Sequence, residues 1–165
     1  MCSEVKGDAS LLETEHISYS SLSRRQIRSL VFHLLYAAEG HSYQDSLESI
    51  TDNLRRGFDI DIPFDSEVFK TAQEIITRND ALDEQIKPFL HNWRYDRVGL
   101  CTKLILRYAM YEIFYTDTPA SIIINEAVEL AKCFSEKDAY KFINGILDEA
   151  TKAKESEQKD GPLQP

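Results

Sequence analysis

The chain has 165 residues, of which 42% are hydrophobic and 28% are charged, a composition typical of a globular protein. Its formal net charge is -9, and its three cysteines lack the C-x-x-C spacing of a zinc site. No apolar run is long enough to span a membrane, and the N-terminus lacks the basic and apolar regions of a signal peptide. We therefore expect a cytoplasmic protein with one compact domain.

The first predicted helix covers residues 23–40. Ser23 and Gln26 have the spacing of a capping box, and Gly40 offers a left-handed stop after the last turn. Between these signals, apolar residues recur at the i, i+3, i+4, i+7 spacing of one buried helical face. The residues predicted to form that face are Ile27, Leu30, Val31, Leu34 and Ala38.

Three arginines lie outside that apolar face, at Arg24, Arg25 and Arg28. No Asp or Glu occurs between Glu15 and Glu39, so the helix is a basic segment of an acidic chain. Guanidinium groups are planar and permanently charged, and their fork of donors suits bidentate contact with phosphate. The alternative is that these are ordinary surface arginines, paired with carboxylates from elsewhere in the fold.

Six further helices are predicted from apolar periodicity and capping residues, at about residues 43–56, 65–78, 82–93, 97–115, 119–134 and 135–153. Gly57 is expected to end the first of these, and Pro88 either kinks the third or marks a helix junction. The segment at 97–115 is apolar on nearly all sides, which is typical of the central helix of a bundle. Arg107 and Glu112 within it are expected to form a paired, buried polar contact.

The predicted fold is therefore all-α, with about seven helices. Residues 58–63 alternate like a strand, but no second strand could pair with them, so we expect a packed loop. Residues 1–21 are expected to form a flexible extension with a short ordered piece near its end, followed by a helical domain at 22–153. The polar residues 154–165 are expected to form a disordered tail.

The sequence contains no recognisable catalytic or cofactor motif. It has no H-E-x-x-H, no G-x-S-x-G and no glycine-rich phosphate loop. Glu126 and Glu129 are three residues apart on one predicted helix, but none of the four histidines lies in the Glu-x-x-His motif of a di-metal bundle. We therefore expect no enzymatic activity, no cofactor and no metal site.

Four segments resemble the NusB family of bacterial transcription antitermination factors. INEAVELAKCFSEKDAYKFINGILD, at residues 124–148, closely resembles the signature of the family's last two helices. RRQIRSLVFHLLY, at residues 24–36, is similar to the family's arginine-rich N-terminal motif and ends in the same tyrosine. LDEQIKPFLHNWRYDRV at 82–98 and LILRYAMYEI at 104–113 resemble its central segments. The resemblance covers about residues 24–150.

The resemblance implies two small packed helical bundles and an RNA-binding factor without catalytic activity. Family members bind the boxA element of ribosomal RNA leader transcripts. They pair with NusE, which is also a small-subunit ribosomal protein, and so load onto elongating RNA polymerase with other Nus factors. The same partners are expected here.

The resemblance also assigns RNA-binding roles to individual residues. The positions that match the family's RNA-binding motifs are Arg24, Arg25, Arg28, Tyr36, Lys141 and Phe142. Phe142 also falls on the predicted apolar face of the last helix, so a role in the hydrophobic core remains open for it.

Two other functions remain possible. The chain could be a helical protein–protein adaptor that has lost RNA binding, in which case its arginines would pair with carboxylates. It could also be the helical RNA-binding module of a ribosomal RNA methyltransferase, a hypothesis disfavoured because the sequence carries no methyltransferase segment.

Overall fold

The computed structural model describes residues 16–159, with side chains up to residue 157. This part of the chain contains seven α-helices and no strand, which confirms the predicted all-α class. No helix within it is long and apolar enough to cross a lipid bilayer. The helices are α1 (Arg24–Gly40), α2 (Leu47–Phe58), α3 (Glu67–Thr77), α4 (Asn79–Ile86), α5 (Leu100–Tyr115), α6 (Ala120–Phe134) and α7 (Ala139–Lys159). They belong to two compact units, Met1–Thr77 and Arg78–Pro165.

In the first unit, α1 packs against α2 and α3. The predicted capping box is confirmed, because the Ser23 Oγ accepts the Gln26 N–H at 3.2 Å and the Gln26 Oε1 accepts the Ser23 N–H at 2.8 Å. The helix ends at Gly40 as predicted, but the left-handed residues are Ser42 and Tyr43, at φ 50° and 57°. The reversal of chain direction therefore follows Gly40 instead of occurring at it.

The segment after α2 is a packed loop, as its isolated strand-like pattern indicates. Ile60 is buried and forms a single parallel bridge with Ile17, with backbone hydrogen bonds of 3.0 and 3.2 Å on either side of it. Gly57 does not end α2 as predicted. The helix continues through Gly57 and is capped by Asp59, which takes the left-handed conformation at φ 48°.

In the second unit, α5 packs against α4, α6 and α7. Its residues from Leu104 to Met110 are all buried, so the helix is covered on every side. A helix that is apolar all round must find neighbours on all faces to remove its surface from water. The prediction that this segment forms the centre of a bundle is confirmed.

Arg107 and Glu112 of α5 are both buried, and Arg107 forms a polar contact with a residue that the sequence did not indicate. Its Nε and Nη2 donate to the two carboxylate oxygens of Asp83 in α4, at 2.7 and 2.9 Å. The Tyr95 hydroxyl also donates to Asp83, and burial, together with that hydrogen bond, raises the Tyr95 pKa well above its ordinary value. One carboxylate thus satisfies a buried guanidinium and a half-buried phenol.

The last helix is longer than the sequence predicts. α7 continues to Lys159, six residues beyond the predicted domain boundary at 153. Lys154 is half-buried, and its ammonium group donates to the backbone carbonyl of Ile113 near the C-terminal end of α5. A cation is favourable at a helix C-terminus because the last carbonyl groups have no partners within the helix. This tertiary contact supports a helical turn whose residues are polar.

We predict that Asp83→Ala lowers the free energy of unfolding by about 3–5 kcal/mol, because it removes the carboxylate that pairs with the buried Arg107 guanidinium and accepts the Tyr95 hydroxyl. Urea denaturation followed by circular dichroism measures this. Asp96→Ala is the matched control: Asp96 pairs with Arg94 at 2.7 Å at the surface, and this change should cost no more than about 1 kcal/mol. Equal losses for the two variants would contradict the importance of the buried pair.

Candidate nucleic-acid interface

Two arginines form the start of α1. The capping box at Ser23 makes Arg24 and Arg25 the first two residues of the helix, and both are exposed. The first turn contains no acidic residue. Since a helix N-terminus carries a partial positive charge, acidic residues stabilise it and arginines do not. The arginines at this end of α1 therefore do not stabilise the helix, but they are suited to binding an anion.

Arg24 forms an exposed ion pair within the first unit. Its Nη1 lies 3.3 Å from both carboxylate oxygens of Glu67, which begins α3. The side chains are 84% and 56% exposed, so water screens their attraction and the pair contributes little to stability. A phosphate oxygen could replace the carboxylate at small cost.

The other two arginines differ in their exposure. Arg25 is exposed and Arg28 is half-buried, and both also interact with other groups of the protein. Arg24 and Arg28 lie one helical turn apart, as their spacing predicts. The three guanidinium groups are therefore grouped within the first two turns of α1.

Tyr36 forms a second exposed position on α1. Its side chain is 49% exposed, and its ring centroid lies 6.3 Å from that of Phe32. Tyr36 follows Arg25 by three turns, about 16 Å along the helix axis. Ser29 and Phe32, which lie between them on the same side, are buried. The arginines and Tyr36 are consequently separate exposed positions of one helix.

Lys141 and Phe142 lie in the first turn of α7, in the second unit. Lys141 is exposed and its Nζ lies 3.0 Å from a carboxylate oxygen of Asp138. This hydrogen bond raises the Lys141 pKa, so the side chain is cationic at neutral pH. Phe142 is half-buried, in contrast to the fully buried Ile143 beside it. It is therefore at the edge of the core and part of its ring faces outward.

Sequence reasoning missed an aromatic residue that contacts Phe142. The Trp93 ring centroid lies 5.5 Å from that of Phe142, with an angle of 58° between the ring planes, and the Trp93 side chain is 63% exposed. The sequence predicts a helix over residues 82–93, which would make Trp93 its last residue. In the structure, α4 ends at Ile86 and a 3₁₀ turn at Lys87–Phe89 follows, so Trp93 lies beyond the helix. In the sequence, Pro88 is the residue that indicates a helix junction before Trp93.

The described residues suit contacts to phosphates and to flat rings better than they suit catalysis. They offer exposed cations at one end of α1 and on α7, and exposed aromatic rings at Tyr36 and Trp93. No group of three or more His, Cys, Asp or Glu side chains in this part of the chain could hold a metal ion.

Comparison with known proteins gives consistent matches. The model of the NusB family matches residues 25–152. The transcription antitermination protein NusB of Macrococcus caseolyticus is 35% identical over 133 residues, which cover 81% of this chain and 99% of the relative. That of Desulfovibrio desulfuricans is 38% identical over 143 residues, covering 81% and 87%. The solved structure of T. maritima NusB has a TM-score of 0.70 at 30% identity and covers 83% of this chain and 98% of its own.

We predict that Glu67→Gln raises the affinity for single-stranded RNA about two- to fivefold at low salt. The change removes the carboxylate that competes with phosphate for Arg24, a surface interaction of up to about 1 kcal/mol. Glu48→Gln, an exposed position in the first turn of α2, alters the net charge equally and is the control. Fluorescence anisotropy with labelled RNA measures both variants. An equal gain for both would mean that only net charge matters.

Proposed function

Because the chain belongs to the NusB family of transcription antitermination proteins, we propose that it binds boxA-type single-stranded RNA together with NusE. In this role it helps to assemble the antitermination complex, with other Nus factors, on RNA polymerase during ribosomal RNA transcription. The observation that carries the proposal is the first turn of α1. It exposes two arginines and no carboxylate on a chain whose formal net charge is -9.

The proposed binding mode uses two kinds of contact, namely contacts to phosphates and stacking on bases. Arg24, Arg25 and Arg28 contact phosphates, which position a strand without reading its sequence. Tyr36 and Phe142 contribute ring faces, and unpaired RNA bases stack on such rings because they are not held in a duplex. Lys141 adds a cation next to Phe142.

A protein–protein adaptor without RNA binding is the second candidate. The Arg24–Glu67 pair favours it, because this arginine already has a carboxylate partner within the fold. The two candidates differ in one measurement. The adaptor should show no binding of boxA RNA at low salt, with or without NusE, while still binding NusE in a pull-down.

We predict that NusE raises the affinity for boxA RNA by at least roughly tenfold, or about 1.4 kcal/mol. The protein is acidic outside the arginine-bearing helix, so a basic partner both adds contacts and reduces repulsion of the RNA. Labelled boxA RNA is titrated with the protein alone and with the NusE complex. An unrelated basic protein of similar charge controls for non-specific attraction. Equal affinities for the protein alone and the complex would contradict the prediction.

We also predict a defined salt dependence. If the three arginines each neutralise one phosphate, the logarithm of the binding constant should fall against that of salt concentration with a slope near ~-2, at roughly -0.7 per contact. Affinity should then decrease roughly twentyfold between about 50 and 200 mM salt. Replacing one of the three by Ala should flatten the slope by about 0.7 for every RNA sequence alike.

Arg56→Ala provides the matched control for this experiment. Arg56 lies on α2 of the same unit, is exposed, and donates to the Asp52 carbonyl and to the Asn53 side chain. Its removal changes the net charge equally but should leave the slope unchanged. If the triple Ala variant at 24, 25 and 28 binds with the affinity and slope of the unaltered protein, α1 is not the RNA surface and the proposal fails at its central point.

A further inference from the structure

We propose that Trp93 is a base-stacking residue, which holds an unpaired nucleobase of the RNA against its exposed ring, beside Phe142. This inference rests on the proposed function, since it names a further RNA contact. It adds a residue that neither the arginine motif nor the Lys141–Phe142 pair includes.

Trp93 is held in place by an anchored turn. Its backbone N–H donates to the backbone carbonyl of Leu90 at 2.9 Å, and Leu90 is buried. Two residues before Trp93, the His91 Nε2 lies 2.8 Å from a carboxylate oxygen of Glu149 on α7. The 3₁₀ turn Lys87–Phe89 also packs against α7. A backbone fixed in this way loses little conformational freedom when a ligand covers the ring, which favours binding.

The geometry leaves Trp93 open to a second flat ring. The Phe142 ring meets it at 58°, so the two rings are tilted and Phe142 does not cover the indole face to face. Trp93 has the largest exposed fraction of the exposed large hydrophobic side chains described, at 63%. An exposed indole ring is what stacking by an unpaired base requires, because every base has a π-face.

Gly145 lies three residues after Phe142 on α7 and suggests close approach by a ligand. It is exposed inside the helix, where glycine is less favourable than alanine. A methyl group there would meet no atom within 4 Å, and the backbone does not have the positive φ that favours glycine. Residues three apart on a helix are neighbours, so the open space lies beside Phe142.

The surroundings of Trp93 favour RNA over a protein partner. Asn92, Arg94, Lys141 and Asn144 are all exposed, so the sequence neighbours of the two rings are polar or cationic. A stable protein interface needs about 1,000 Å² of well-packed surface with an apolar centre. One exposed ring among amides and ion-paired side chains is small for that purpose. It suits a single base, whose edges can hydrogen-bond to side-chain amides and whose phosphate carries a negative charge.

The test uses the fact that Trp93 is the only tryptophan of the chain. Intrinsic fluorescence therefore reports on this ring alone, while anisotropy of labelled boxA RNA reports on overall binding. We expect quenching that saturates at the same RNA concentration as the anisotropy. Trp93→Ala should weaken RNA binding roughly 5- to 150-fold, the range measured for loss of a stacked base. The salt slope should stay unchanged, because stacking releases no counterions.

Two further variants separate stacking from general disruption. Trp93→Phe keeps a ring and should retain most of the affinity, with a melting temperature that confirms folding. Tyr115→Ala removes another exposed aromatic of the second unit, stacked on Tyr111 at 5.8 Å, and should leave RNA binding unchanged. If Trp93→Phe loses as much affinity as Trp93→Ala, or if Tyr115→Ala loses as much, the stacking role is overturned.

The remaining outcomes distinguish this inference from the proposed function. Salt-dependent RNA binding with unchanged Trp93 fluorescence and an unaffected Trp93→Ala variant would overturn the inference alone. An absence of RNA binding, with and without NusE, would overturn both. If the fluorescence responds to NusE without RNA and not to RNA, Trp93 is a protein-docking residue and the inference is wrong.

Discussion

The second unit is organised around one half-buried carboxylate, that of Asp83. It is held between the Arg107 guanidinium and the Tyr95 hydroxyl, and so joins α4, α5 and the segment that connects them. Burying a guanidinium is costly unless a counter-charge and hydrogen bonds accompany it, so this arrangement tolerates little displacement of any member. Trp93 precedes Tyr95 by two residues. The position of the exposed ring is thus linked to the polar contact at Asp83.

The first unit follows a different constraint, which is electrostatic. α1 buries a broad apolar face against α2 and α3, and that packing stabilises it even though arginines occupy its first turn. Helical stability in proteins comes mainly from such packing and less from favourable end charges. This packing therefore outweighs the unfavourable effect of the arginines in the first turn of α1. Glu67 supplies a nearby carboxylate that is exposed enough to be displaced.

Local signals in the sequence predicted most of the helical fold. The capping box at Ser23, the apolar period of α1 and the all-round apolar segment of α5 each correspond to an observed element, because they depend on neighbours within one or two turns. The glycine signals were less reliable. Gly57 lies inside α2 and Asp59 takes the left-handed cap, since the buried Ile60 and its bridge to Ile17 determine where the chain must turn.

The sequence by itself determined the all-α class, the basic character of α1 and the resemblance to the NusB family, since composition, period and motif are properties of the chain alone. Only the tertiary structure decided which side chains are exposed and what they contact. The pairing of Arg107 with Asp83 joins residues 24 positions apart, and the Trp93–Phe142 contact joins residues 49 apart. No local pattern encodes such distances. They are fixed when helices pack together, because burial of apolar surface does not depend on separation along the chain.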